Sequence, residues 1–372
     1  MIHSPGLLLT LLAFVGVIAP LVFIHEMGHY WAGRLFGVKA DAFSIGFGRE
    51  IAGWTDRRGT RWKLAWLPLG GYVRFAGDMN AVSQPSADWL AMPADERNRT
   101  FQAKPVWQRA LIVAAGPAVN LLAAVLILAG FALAYGDAYG PPAVGAVAPA
   151  SAAQRAGLRV GDRITAIAGR PVDAFAQLSD IIQPRPGQAV RVELVRDGKP
   201  VTLTATIGAQ PARAADGRRV AIGMLGVSPP PASLPQAAVV GVRRTGEIIG
   251  VMTDAIGQIV TGRRSVRELG GPITIARASG ATLAVGWGMW VYLIALVSIN
   301  LGFINLLPVP MLDGGHLLFY AIEVVRRRPV GPTAQEWAYR GGLAALAALM
   351  LLVTFNDLGA AGLWSRLAGL IG

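Results

Sequence analysis

Cysteine is absent from all 372 residues. Disulfides and thiolate metal sites are therefore excluded, and any metal centre must be assembled from imidazoles and carboxylates. Charge is scarce as well: 15% of residues are Asp, Glu, Lys or Arg, against about 25% in an ordinary soluble protein. Hydrophobic residues make up 53%, more apolar surface than a water-soluble core of this size can hide, so the composition is that of a membrane protein. Lys and Arg are missing before and within the N-terminal apolar run. Without a basic flank that segment reads as a retained span, not a cleaved signal peptide. Acidic residues fall short of basic ones, leaving a net charge of +12. The basic residues are spread through connecting segments with no aromatic-interleaved patch, which argues against nucleic acid as a partner. Membrane topology accounts for them better.

Only four histidines occur, and two of them stand in His25-Glu26-Met27-Gly28-His29. On a helix these two lie one turn apart on one face, so both imidazoles reach a single metal ion. Glu26 is placed beside them to take a proton from a water held by the metal. The motif follows an uncharged run from Leu7 to Ile24. Ionisable side chains at membrane depth mark a functional site by default.

Four uncharged stretches are candidates to cross a bilayer: about Pro5–Ile24, Ala110–Tyr135, Ala281–Leu306 and Gly341–Phe355, each measured against the roughly 20 apolar residues a span needs. The tail Leu358–Gly372 suits the interface. Arg34, Lys39 and Arg49, then Arg97, Arg99, Lys104 and Arg109, flank the first connection, and Arg326-Arg327-Arg328 follow the third span. The positive-inside rule puts both connections in the cytoplasm and both termini outside. Trp287, Trp290, Trp337 and Trp364 read as interface anchors.

The segments divide as follows: 1–36, the first span with its H-E-x-x-H; 37–106, a cytoplasmic loop with a membrane-associated hairpin; 107–136, the second span; 137–210, an outer folded domain; 211–280, a linker and membrane-surface helix; 281–325, the third span; 326–372, the fourth span and tail. In the outer domain Ala143–Ala148, Arg163–Ala168, Ala189–Arg196 and Val201–Ile207 read as strands, and Ser151–Ala156 and Ala174–Ile182 as short helices. The run from Ala156 to Ile164, A-G-L-R-V-G-D-R-I, followed by Ile167, Gly169 and Val172, resembles a bacterial PDZ domain. Such domains bind an extended peptide or a chain terminus by adding a strand. In the cytoplasmic loop Arg61–Leu67 alternates, Pro68–Gly71 reads as a turn, and Tyr72–Phe75 resumes a strand.

Zinc needs a third protein ligand and an open position. A third histidine six residues after His29 is excluded, because that position is Leu35. Glu50 lies in Phe43–Ala52, a glycine-rich stretch without helical pattern. Asp313, in N-L-L-P-V-P-M-L-D-G from Asn305 to Gly314, is the stronger candidate. Spans one and three run in the same direction, and at about 1.5 Å per residue the histidines and Asp313 fall near the same, cytoplasmic edge of the hydrocarbon. Pro308 and Pro310 break the helix there, giving irregular backbone that is tolerated at membrane depth only where it lines a cavity or is buried. His316 is near enough to compete as a ligand.

H-E-x-x-H together with N-x-x-P-x-P-x-x-D-G resembles the site-2 protease family of zinc intramembrane proteases. The likeness extends to Phe43–Gly48, Pro68–Arg74, Ala115–Asn120, the PDZ pattern and Leu269–Ile273. The resemblance implies a polytopic α-helical membrane protein of about four spans with an inserted α+β PDZ domain and a membrane-associated hairpin. It implies one zinc ion held by His25, His29 and Asp313, Glu26 as general base, and Asn305 beside the site on substrate backbone or oxyanion. Gly116–Asn120 would pack on the zinc-binding helices, Asn120 acting as helix glue. Gly70, Gly71, Tyr72 and Val73 belong to a hairpin that would clamp an extended substrate as an added strand. The expected substrates are single-span membrane proteins, anti-sigma factors or remnant signal peptides, cut in regulated intramembrane proteolysis. The expected location is a bacterial inner membrane, with the PDZ domain periplasmic and the site near the cytoplasmic side. The best-known enterobacterial relatives carry two PDZ domains, whereas this chain shows one. Competing readings are a membrane-anchored zinc protease with a soluble-facing site built on Glu50, a non-enzymatic PDZ scaffold and, less well suited, a zinc transporter.

Overall fold

The computed structural model describes residues 6–77, 89, 92–213, 219–266 and 270–360. Leu269, Trp364 and the tail beyond 360 fall outside the described residues. The chain forms two compact units, one of residues 125–244 and one made of 2–124 with 245–372.

In the second unit, helix α1 (Leu7–Leu35) leads into strand β1 (Ala40–Thr55). Strand β2 (Arg61–Phe75) pairs antiparallel with β1 along its length, from Ala40↔Phe75 to Thr55↔Arg61. The hairpin turn is at Asp56–Thr60, where the Asp56 carboxylate accepts from the amides of Arg58 and Thr60. It is not at 68–71, as the Pro-Leu-Gly-Gly run suggests, because those residues lie inside β2. Ala42–Ile45 are partnered on both sides, by Gly71–Arg74 and by Arg61–Leu64, so the two long strands fold back on themselves instead of forming one flat ribbon. Phe43 stacks on Trp62 where the folded-back strands lie side by side. Ile51, Trp54 and Trp66 remain exposed further out, an apolar surface that a hairpin bathed in water would not keep uncovered.

Helix α2 (Val106–Tyr135) begins in this unit. The third apolar stretch is two helices, not one. The first, α5 (Pro272–Val285), starts on Pro272 behind Gly271 and stops at Gly286; α6 (Trp287–Asn305) starts from the same glycine. Asp313 opens a further helix, α7 (Asp313–Arg326), and α8 (Pro332–Ala360) follows. Four helices, Leu7–Leu35, Val106–Tyr135, Trp287–Asn305 and Pro332–Gly359, are long and apolar enough to cross a membrane. Trp287 and Trp337 are exposed, but Trp290 is not an interface residue. It is 8% exposed, packs on Ala13, Val17 and Leu21 of α1, and its indole N–H donates to the Ala13 carbonyl at 3.3 Å.

The other unit holds an α+β domain. Strands β4 (Arg163–Ile167), β5 (Arg170–Pro171), β6 (Ala189–Arg196) and β7 (Lys199–Thr206) form an antiparallel sheet in the order β5-β4-β6-β7. Along β6 the side chains of Val190, Val192 and Leu194 alternate inward. The β6–β7 turn is Asp197-Gly198 with both φ angles positive, the geometry a two-residue hairpin requires and Gly tolerates without strain. Helix α3 (Phe175–Ile182) contributes Leu178, Ile181 and Ile182 at helical spacing. These side chains close a core with Ile164, Ile167 and Ile207, each fully buried aliphatic contributing about 1.5–3 kcal/mol.

The domain extends past residue 210, into the stretch whose composition suggests a linker. Strands β8 (Gly208–Arg213) and β9 (Arg219–Met224) pair, and β10 (Val227–Ser228) returns to β3 (Ala146–Val147). Leu225 joins the core. Alternation is weak in this Ala-, Pro- and Arg-rich stretch, which is why composition alone suggests a linker. Asp162, of the G-D pair in the PDZ-like pattern, is buried. Arg196 donates to both its oxygens at 2.7 Å, and the Arg159 amide at 2.8 Å. Burial opposes its ionisation, yet these donors hold its carboxyl below the usual carboxylate range. Helix α4 (Leu234–Val260) begins in this unit, where Arg243 pairs with Asp137 and Arg244 lies over the Tyr139 ring.

Candidate metal centre

Helix α1 carries His25, Glu26 and His29, all largely buried, and the two imidazoles meet α2. The two helices approach closely because glycines face across the contact. A Cβ on Gly28 would meet the Ala115 carbonyl oxygen at 2.5 Å, and one on Gly116 would occupy the space of the His29 ring. Without a hydrophobic drive between helices in lipid, such small-residue contacts let backbones pack directly.

Asp313 reaches the same place from another part of the chain. Asn305 ends α6, Pro308 and Pro310 interrupt the backbone, and Met311 takes a φ of +85°, a conformation non-glycine residues rarely adopt. The chain then re-enters helix at Asp313, in the first turn of α7, where the helix dipole favours a carboxylate.

The Nε2 atoms of His25 and His29 stand 3.3 Å apart. Asp313 Oδ2 is 3.2 Å from Nε2 of His25, and Oδ1 is 3.6 Å from Nε2 of His29. One ligand atom from each of the three residues lies within 4.8 Å of the others. Two donors at about 2.0–2.1 Å on a tetrahedral zinc ion stand about 3.3 Å apart, so the spacing fits the ion. Asp313 Oδ2 is buried with no hydrogen bond of acceptable geometry, as expected of an oxygen meant for a metal. A donor set of two nitrogens and one carboxylate, leaving one position open, matches catalytic zinc. Glu50 and His316 are not part of this cluster. Glu50, on β1, accepts from Arg61 and lies near Lys63, and His316 is hydrogen-bonded to the Tyr339 hydroxyl.

The cluster lines a cavity of about 520 Å³. Gly70, Gly71, Tyr72 and Val73 of β2 form part of its wall, and Asn305 and His316 another part. The β2 backbone comes up to the base itself, with the Val73 amide beside the Glu26 carboxylate. A Cβ on Gly71 would lie 3.0 Å from Glu26 Cγ.

Three of these contacts go beyond the sequence reading. Val73 to Glu26 needs a tertiary fold to be seen. His316 to Tyr339 joins two helices through side chains with no motif between them. Asn120, read as helix glue, lies 3.2 Å from Nδ1 of His25. Its spacing from Gly116 was a usable signal, since residues four apart share a helix face.

The profile of peptidase family M50 matches residues 13–349. An inferred zinc metalloprotease of Agrobacterium fabrum is 42% identical over 355 residues, covering 93% of this chain and 94% of that protein. One of Mesorhizobium japonicum is 40% identical over 360 residues, covering 94% and 98%. Metalloprotease MmpA of Caulobacter vibrioides is 36% identical over 400 residues, covering 98% and 99%. Among solved structures, the PDZ domain of the SdrC-like protein of Listeria monocytogenes is similar to 24% of this chain and 86% of that one, at 21% identity and a TM-score of 0.19.

Proposed function

From the premise that this chain belongs to peptidase family M50, and is a zinc metalloprotease with membrane-spanning helices, we propose that it is an intramembrane endopeptidase cutting single-span membrane proteins. The observation that carries this reading is the convergence of His25, His29 and Asp313 beside Glu26, in a cavity walled by apolar helices and a β-strand. In this proposal His25, His29 and Asp313 hold one zinc ion. Zinc, when bound, supplies Lewis acidity and makes water nucleophilic near neutral pH. Glu26 accepts the proton of the attacking water and delivers it to the leaving amine. The Val73 amide restrains the Glu26 carboxylate during both transfers.

A helical substrate hides its carbonyls in hydrogen bonds and must present an extended segment to be cut. Residues 70–73 of β2, at the cavity wall, suit the pairing of such a segment as an added strand. Asn305, on the opposite side of the motif break, would orient its backbone. The PDZ-like domain suits an extended peptide or chain terminus. Anti-sigma factors and remnant signal peptides are the substrate classes proposed, and a bacterial inner membrane, with the site toward the cytoplasmic side, is the proposed location.

The test is co-expression of a single-span reporter, trimmed on its outer side, with wild type, Glu26→Gln and Asp313→Asn, with zinc measured on the purified proteins. The proposal expects a cytoplasmic fragment with wild type only, zinc retained in Glu26→Gln, and zinc weakened in Asp313→Asn. A fragment that persists in Asp313→Asn would sink the assignment of the third ligand.

A further inference from the structure

Helix α2 engages both histidines along one stripe. Ile112, Gly116 and Asn120 recur every four residues and so lie on one face. The Ile112 carbonyl is 2.9 Å from Nδ1 of His29, Gly116 abuts the same ring, and the Asn120 amide nitrogen is 3.2 Å from Nδ1 of His25. In each imidazole, then, Nδ1 is engaged by α2 while Nε2 faces Asp313.

A metal-binding imidazole is neutral, with a lone pair on the ligating nitrogen and the proton on the other. Ligation through Nε2 therefore needs Nδ1–H and an acceptor for it. For His29 the acceptor is the Ile112 carbonyl, which offers nothing but lone pairs. Asn120 is ambivalent, since its amide presents either an oxygen or an NH₂ group and a half-turn exchanges the two. Only the orientation with oxygen toward His25 leaves that Nε2 lone pair free for a metal.

Two further facts separate Asn120 from ordinary helix glue. Its side chain is fully buried, and with the NH₂ group turned toward His25 its amide oxygen finds no partner among the described residues, whereas a half-turn of the amide brings that oxygen onto His25. A carboxamide placed only to join helices would satisfy both ends, because an orphaned polar atom is costly away from water. Its position is also pinned independently of the amide: Ser298 Oγ of α6 donates to the Asn120 backbone carbonyl at 2.8 Å.

Resting on the zinc-protease reading above, we infer that Asn120 is a positioning residue, whose amide oxygen accepts from Nδ1–H of His25 and so fixes the tautomer and ring orientation with which His25 binds zinc. Ser298 holds the backbone from which Asn120 reaches. Helix α2 thereby supplies an acceptor to each histidine, a main-chain one for His29 and a side-chain one for His25, and only the second can be removed by substitution.

Zinc affinity, measured by chelator competition on the full-length protein in detergent, tests this without reference to cleavage. Asn120→Leu keeps the branching at Cγ and removes the acceptor, and its zinc affinity is expected to fall by about 10–100-fold with the apo protein still folded. Asn120→Asp keeps an acceptor oxygen and is expected to bind zinc within a few-fold of wild type. Wild-type zinc affinity in a folded Asn120→Leu protein would overturn the inference. If Asn120→Leu does not fold, Asn120→Asp decides: affinity retained supports the inference, and affinity lost in a folded protein overturns it. His25→Ala separates the two levels. Wild-type zinc content in that variant would mean that the metal site itself has been misassigned, whatever Asn120 does.

Discussion

The α+β domain and the helical unit solve the problem of cohesion by opposite means. The domain buries a continuous aliphatic core, with Ile164, Ile167, Val192, Leu194 and Ile207 almost wholly enclosed, and pairs its buried carboxylate, Asp162, with Arg196 at the edge. The helical unit leaves much of its apolar surface exposed, from Leu7 and Leu8 to Leu351 and Phe355. It keeps polar groups for its interior: His25, Glu26, Asn120 and Ser298. In water, burial of apolar area drives folding. In lipid that drive between helices is lost, so close contact at glycines and hydrogen bonds takes its place. A metal site with a buried base is compatible with the second solution.

That contrast can be broken most sharply at the base. Glu26→Gln should lower cleavage of a single-span reporter by about 10²–10⁴-fold and leave zinc content unchanged, as measured by metal analysis beside the cleavage assay. Equal cleavage would remove the polar interior from the chemistry. Next in size, Ile164→Ala should destabilise the α+β domain by about 2–5 kcal/mol, seen as faster amide exchange across β4, β6 and β7. Zinc content should not move, and a loss of zinc would show that the two regions are not energetically separate.

Gly116→Ala sharpens the comparison from the other side. Its Cβ competes with the His29 ring for space, so zinc binding should weaken and the thermal transition should fall by the equivalent of about 1–3 kcal/mol of overpacking. Gly250→Ala, at a helix position with nothing within 4 Å, is the matched control, and helix propensity predicts a gain of up to about 1 kcal/mol. The smallest effect concerns acid. Asp162 has a folded pKa below its unfolded value of about 3.9. Its contribution is therefore present above that unfolded value and is lost as pH falls through the folded one. Exchange protection in the domain should decline over that acidic window, and Arg196→Met should flatten the decline. An unchanged acid profile would show that the ion pair carries no net weight.

The sequence made some of this legible and hid the rest for physical reasons. Hydrophobic runs identify membrane helices because lipid demands length and low charge together. The division of the third stretch at Gly286 is invisible to such counting, since both halves are uncharged. The juxtaposition of His25 and His29 with Asp313 was open to span arithmetic, because rise per residue fixes depth. Trp290 misled because aromatic belts are a statistical rule, whereas its indole found a carbonyl of α1 to bond. The hairpin turn at Asp56–Thr60 was obscured by the stronger glycine-proline signal at 68–71. The contact of Asn120 with His25 depends on which face of α2 meets α1, which periodicity narrows but does not choose.

His25 and Asp313 are about 290 positions apart in the chain, yet they meet within one ligand shell. At about 5–20 residues per second of synthesis, roughly 15 to 60 s separate the emergence of the two. Through that interval the nascent chain carries an H-E-x-x-H helix lacking the carboxylate of its donor set. The site is completed only after most of the membrane helices have been made. The three side chains can therefore meet only once nearly the whole helical unit exists, however early the first two are made.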